Sequence, residues 1–78
     1  MNGKGREMKN RIKVIRAELN LSQEKLAALA GISRVTLVNI EKGTANPDGK
    51  TIAKLVKALN RPANEIFFDL DVVSKQPK

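Results

Sequence analysis

The sequence predicts an all-α fold, a compact bundle of five short helices in one small domain. Three observations carry that expectation. Seventy-eight residues leave no room for a second domain. Apolar residues, 41 % of the chain, recur at three- and four-residue spacing in successive stretches, the period of a helix with one buried face. The stretches are also punctuated by residues that start and stop helices: Ser22, Ser33 and Asp48 ahead of them, Gly31, Gly43 and Pro47 behind.

Taken in order, residues 1–7 hold two glycines and two basic side chains and read as a flexible N-terminal arm. The folded domain spans 8–68. Its first helix runs from Met8 to Asn20, with Ile12, Ile15 and Leu19 at helical spacing and Met8 one turn earlier. Lys9, Arg11, Lys13 and Arg16 cover much of the remaining surface. Ser22 caps helix 2, whose first turn holds Gln23 and Glu24 and whose apolar residues are Leu26, Ala27, Leu29 and Ala30. Gly31 stops it at a turn that needs positive φ. Ser33 then caps helix 3, which is apolar at Leu37 and Ile40 and closes at Gly43. Asp48 caps helix 4, with Ile52, Leu55, Val56 and Leu59 as its stripe, ending at Asn60-Arg61. Pro62 suits the first turn of a short helix 5 through Ile66 and Phe67.

After Phe67 the period changes. Phe68, Leu70 and Val72 alternate with Asp69, Asp71 and Val73, a strand-like pattern in the C-terminal extension, 69–78. A lone strand is not stable. This one either pairs with the segment around Glu7 to Lys9, pairs with its copy in a second subunit, or is simply extended. Ser74 to Lys78 reads as a polar, disordered tail.

Fifteen basic against eight acidic residues give a net charge of +7. That favours an anionic partner, nucleic acid first and a membrane surface second. No cysteine and no histidine are present, which excludes a disulfide and a thiol nucleophile and leaves no zinc site or other cofactor to expect. No phosphate-cradling glycine loop or paired acid signature suggests an enzyme. No apolar run approaches a membrane span and no signal-peptide core follows the start, so the cytoplasm is the expected location.

Two short helices joined by a tight turn across residues 22–43 form a helix-turn-helix signature, and DNA is the usual reason for one. The ordered set Gln23, Leu26-Ala27, Gly31, Ser33, Leu37, Ile40-Glu41, Gly43 and Asn46-Pro47 resembles the Cro/C1-type (XRE-like) helix-turn-helix repressor family. The resemblance runs from about Met8 to Phe67. It implies a bundle of lambda-repressor-like type, a double-stranded DNA partner and a homodimer on two half-sites about one helical turn apart.

With Leu37 and Ile40 inward, Val35, Val38, Asn39 and Lys42 fall on the outer half of helix 3, and Arg34 sits on the flank of its first turn. Arg34 suits guanine O6 and N7, Asn39 suits adenine, and Val35 can pack on a thymine methyl. Phosphate contacts form a separate class that positions without reading. Its candidates are Gln23, Ser33, Thr36, Lys42, Thr44 and Asn46, of which Gln23, Thr44 and Asn46 rest on the resemblance. Lys4 and Arg6 are further candidates for phosphate or minor-groove contact. Glu41 lies beside Leu37 on the wheel and should be partly covered. The resemblance pairs it with a helix-1 arginine, here Arg16.

Val35 and Val38 occupy exposed positions where family members more often carry polar residues. Specificity is therefore expected to be modest, or to lean on thymine methyls and DNA shape. Alternatively, the two valines mark a surface for a protein partner, such as a toxin or a larger regulator.

Overall fold

The computed structural model describes residues 8–69, and the readings above for 1–7 and 70–78 lie outside the described residues. Five helices follow a short strand and precede another: β1 (Met8–Asn10), α1 (Ile12–Leu19), α2 (Gln23–Ala30), α3 (Arg34–Lys42), α4 (Gly49–Leu59), α5 (Ala63–Ile66) and β2 (Phe67–Asp69). The chain is a mostly helical bundle with one small antiparallel sheet.

The helix signals act as capping chemistry requires. The hydroxyl of Ser22 accepts from Lys25 N at 3.0 Å and that of Ser33 from Thr36 N at 3.0 Å. The carboxylate of Asp48 accepts from Thr51 N at 2.9 Å. Each satisfies one of the orphan N–H groups that every helix start leaves over. At the other ends the backbone turns left-handed, at Gly31 (φ 73°) and Gly43 (φ 84°), and also at Asn20 and Asn60. Asparagine tolerates that region better than most side-chain-bearing residues.

The first helix begins later than its apolar spacing suggests. Met8–Asn10 are β1, not the first turn of α1, and Phe67 belongs to β2, not to α5. The strands pair Met8 with Asp69, Lys9 with Phe68 and Asn10 with Phe67. The C-terminal strand therefore finds its partner within its own chain. The pairing extends into the helices, since Arg11 N donates to Ile66 O at 2.8 Å. Asn10 then does two jobs. Its Oδ1 accepts from Ile12 N at 3.1 Å, starting α1, and its Nδ2 donates to Ile40 O at 2.8 Å, near the C-terminal end of α3.

One core joins all five helices: Ile12 and Ile15 from α1, Leu26, Ala27 and Ala30 from α2, Leu37 and Ile40 from α3, Leu55 and Leu59 from α4, and Ile66 with Phe67. Ala27 and Ala30 are the small residues that let α2 approach its neighbours α3 and α4. Leu19 and Leu29, expected on apolar stripes, are exposed instead. Periodicity assigns each an angle on its helix, but Leu19 stands in the last turn of α1, beyond the reach of the core.

The cap of α4 carries a pH dependence. The backbone N–H and hydroxyl of Thr51 hold the Asp48 carboxyl below the usual carboxylate range. A carboxyl depressed by folding contributes stability above its unfolded pKa and loses it as pH falls through the folded one. The melting temperature should therefore drop below about pH 4, and Asp48→Asn, which can still cap, should flatten that drop. Parallel thermal melts of the two proteins across pH 2–6 check this.

Candidate nucleic-acid interface

Helix α3 is held to the bundle by Leu37 and Ile40, which are 0 % and 2 % exposed. At about 100° per residue, Val35 and Lys42 then point directly away from the core. Arg34, Val35, Thr36 and Lys42 are all exposed, and Val35 is 70 % so. Val38 and Asn39 are only partly exposed. For Val38 this corrects the expectation of an exposed position: it lies about 130° from the core direction, on the flank of α3, whereas Val35 lies opposite the core. Asn39 is hemmed in by the chain after Gly43: Thr44 N, Ala45 N and Thr44 Oγ1 all donate to its carbonyl oxygen, at 3.0, 3.3 and 3.2 Å.

The phosphate candidates fall at both ends of this helix. Ser33 stands at its start, where its hydroxyl also donates to Thr36 Oγ1 at 2.8 Å. Lys42 closes its last turn, and Thr44 and Asn46 follow in the exposed loop toward α4. Gln23 opens α2 yet is tied to the last turn of α3, because its Nε2 donates to Glu41 Oε1 at 3.1 Å. A carboxylate only accepts, so this bond orients the amide, and the second N–H on Nε2 remains for another acceptor.

Glu41 is the hub of that arrangement. Arg16 Nε donates to its Oε2 at 2.7 Å and Arg16 Nη2 to its Oε1 at 3.1 Å. The two side chains are 14 % and 8 % exposed. Arg16 Nη1 also donates to Leu21 O at 3.0 Å, so one guanidinium spans α1, the α1–α2 link and α3. This fork-on-carboxylate geometry is the strong form of an ion pair.

With both helices, their turn and an outward α3 in place, the comparison with known proteins is decisive. The helix-turn-helix family model matches residues 12–66. The chain belongs to the Cro/C1-type helix-turn-helix family. Membership makes it a DNA-binding regulator of that class.

Among its relatives, an uncharacterized HTH-type transcriptional regulator of Archaeoglobus fulgidus is 42 % identical over 61 residues, covering 78 % of this chain and 86 % of that protein. The cryptic phage CTXphi transcriptional repressor RstR of Vibrio cholerae is 35 % identical over 60 residues, 77 % of this chain and 54 % of that one. The restriction-modification controller protein C.AhdI from Aeromonas hydrophila superposes with a TM-score of 0.66 at 35 % identity, over 69 % of this chain and 82 % of that structure.

One residue and one contact of this helix-turn-helix protein are not foreseen from the sequence. Asn10 fixes the end of α3 through Ile40 O. Asn10 stands two residues before α1, with Arg11 at the cap position, and the helical spacing of Met8 and Ile12 masked its role. The bond from Gln23 to Glu41 crosses 18 positions and has no local signature.

Proposed function

We propose that this protein is a sequence-specific repressor that reads the major groove of double-stranded DNA with α3 and binds as a homodimer. The observation that carries the reading is the division of α3 into a buried edge, Leu37 and Ile40, and an exposed face led by Arg34, Val35 and Lys42. Arg34 and Asn39 supply base-edge hydrogen bonds, and Val35 and Val38 supply apolar contact. Scale supports it too. Nine residues make α3 about 13 Å long, close to the roughly 12 Å width of the major groove. Thr36 at one end and Gln23, Lys42 and Asn46 at the other are then set to meet the phosphates on the two sides; Ser33 and Thr44, whose hydroxyl hydrogens go to Thr36 Oγ1 and Asn39 O, join them once those hydroxyls turn outward.

A second copy has a surface to use. Val14 and Phe68 are exposed in a groove flanked by Arg11, Arg61, Glu18 and Glu65. Arg61 already pairs with Glu18 at 3.0 Å, so Arg11 and Glu65 are the charges left to meet their counterparts across a two-fold axis around the apolar centre. Repression follows if the bound dimer blocks polymerase.

Selection of duplexes from a random pool tests the reading. The expected product is a palindrome with half-sites about 10 base pairs apart, centre to centre. Affinity should fall steeply with salt, and Lys42→Ala should flatten the log–log slope by about 1. Failure to enrich any sequence would remove DNA reading and turn attention to a protein partner on the same face.

A further inference from the structure

We infer that the first turn of α3 reads the C5-methyl group of a pyrimidine beside a guanine, so that the protein tells 5-methylcytosine from cytosine as it tells thymine from uracil. The inference rests on the DNA-reading function proposed above and narrows it to a response to base methylation.

Val35 carries the argument. It is 70 % exposed, more than Leu29, Val14, Leu19 or Phe68, the other large apolar residues on the described surface. It stands opposite the core-facing edge of α3, so packing within the chain does not require it. Nor does helix formation, since valine is a poorer helix former than alanine or the straight-chain polar residues. What valine does supply is stiffness. A β-branched side chain in a helix has essentially one χ1 rotamer, so its two methyls are held in fixed directions with little rotamer freedom left to lose.

The base edges of the major groove offer one kind of apolar group, the C5-methyl of thymine. Cytosine carries hydrogen at that carbon. 5-Methylcytosine carries the same methyl at the same place, so a side chain that senses only the methyl treats the two methylated pyrimidines alike.

The neighbouring residue supplies the guanine. Arg34 is exposed, and its side chain makes no hydrogen bond or ion pair with another described residue. Its guanidinium is therefore available for two parallel bonds to O6 and N7. Residues 34 and 35 differ by about 100° around α3 and 1.5 Å along it, a displacement that lets their ends reach neighbouring base pairs. The polar group before them does not compete. The Ser33 hydroxyl accepts from Thr36 N and donates to Thr36 Oγ1, so it is turned into the cap.

The test uses the full chain and the duplex it selects from a random pool. Each thymine is replaced singly by deoxyuridine. One thymine per half-site, beside a guanine, should prove sensitive, with binding weakened about three- to tenfold. Val35→Ala should lose that sensitivity, and Val35→Ile should keep it. At the same position, 5-methylcytosine should bind about three- to tenfold more tightly than cytosine to wild type, and equally to Val35→Ala. Circular dichroism should show both variants folded, as expected for so exposed a site. The inference is overturned if a salt-sensitive, sequence-selected complex ignores every uracil substitution, a result that leaves DNA reading intact. It is also overturned if Val35→Ala retains full uracil sensitivity, because another group then reads the methyl. Failure to select any duplex would sink the DNA-reading function itself.

Discussion

Glu41→Ala is expected to destabilise the protein by about 3 kcal/mol, near the lower end of the range for stripping one partner from a covered ion pair. Three side-chain donors end on this carboxylate: Arg16 Nε at 2.7 Å, Arg16 Nη2 at 3.1 Å and Gln23 Nε2 at 3.1 Å. Removing it leaves a guanidinium that is 14 % exposed without its counter-charge. The lower end applies because Arg16 keeps some water and its bond to Leu21 O. A domain of this size has about 4–12 kcal/mol in total, so the loss is a large share. At roughly 4–8 °C per kcal/mol, the melting temperature should fall by about 12–24 °C.

Glu41→Gln, which keeps the shape and one acceptor, should cost less. The double variant Arg16→Met/Glu41→Leu should be more stable than Glu41→Ala, because no charge is left stranded. Thermal melts of wild type, these three variants and Arg16→Ala decide this. Unchanged midpoints in both Glu41→Ala and Arg16→Ala would show that the pair contributes nothing. The same carboxylate orients Gln23, so weaker DNA binding at fixed salt in folded Glu41→Gln, with the salt slope unchanged because the amide is neutral, would show that it also places a phosphate contact.

Which parts of this molecule are legible in its sequence follows from the range of the interactions that decide them. The ends of α2, α3 and α4 are set by neighbours within four residues: Ser22 on Lys25, Ser33 on Thr36, Asp48 on Thr51, and the left-handed turns at Gly31 and Gly43. Local chemistry of that kind can be read from residue order. The start of α1 cannot, because Met8–Asn10 are held by Phe67–Asp69 from the far end of the chain. Nothing in Met8, Ile12 and Ile15, which keep helical spacing, records that pairing.

The outer face of α3 is legible by subtraction, since Leu37 and Ile40 must face inward and the remainder must face out. How far out is not legible for Asn39, because its cover depends on the loop that returns after Gly43. The orientation of the Gln23 amide is likewise set by a partner on another helix.

Leu37→Ala is expected to cost about 2–5 kcal/mol, the span for a leucine truncated in a packed core. Its side chain is 0 % exposed and sits where α3 meets the bundle. The lost transfer energy and the cavity left behind act together. Val35→Ala, two residues away on the opposite face, should change stability by no more than about 0.5 kcal/mol. Leu37→Met should cost less than about 1.5 kcal/mol. Chemical denaturation of the three variants checks these values.

The pair also separates two ways of losing DNA binding. If Leu37 acts only by holding α3 in place, Leu37→Ala should regain near-normal affinity at temperatures where circular dichroism shows it folded. Selected duplex at a hundredfold excess over its Kd should add about 2.7 kcal/mol to its stability. If affinity stays low in the folded variant, the cavity has shifted α3 within the bundle. The outer face of α3 would then depend on Leu37 for its angle as well as for its stability.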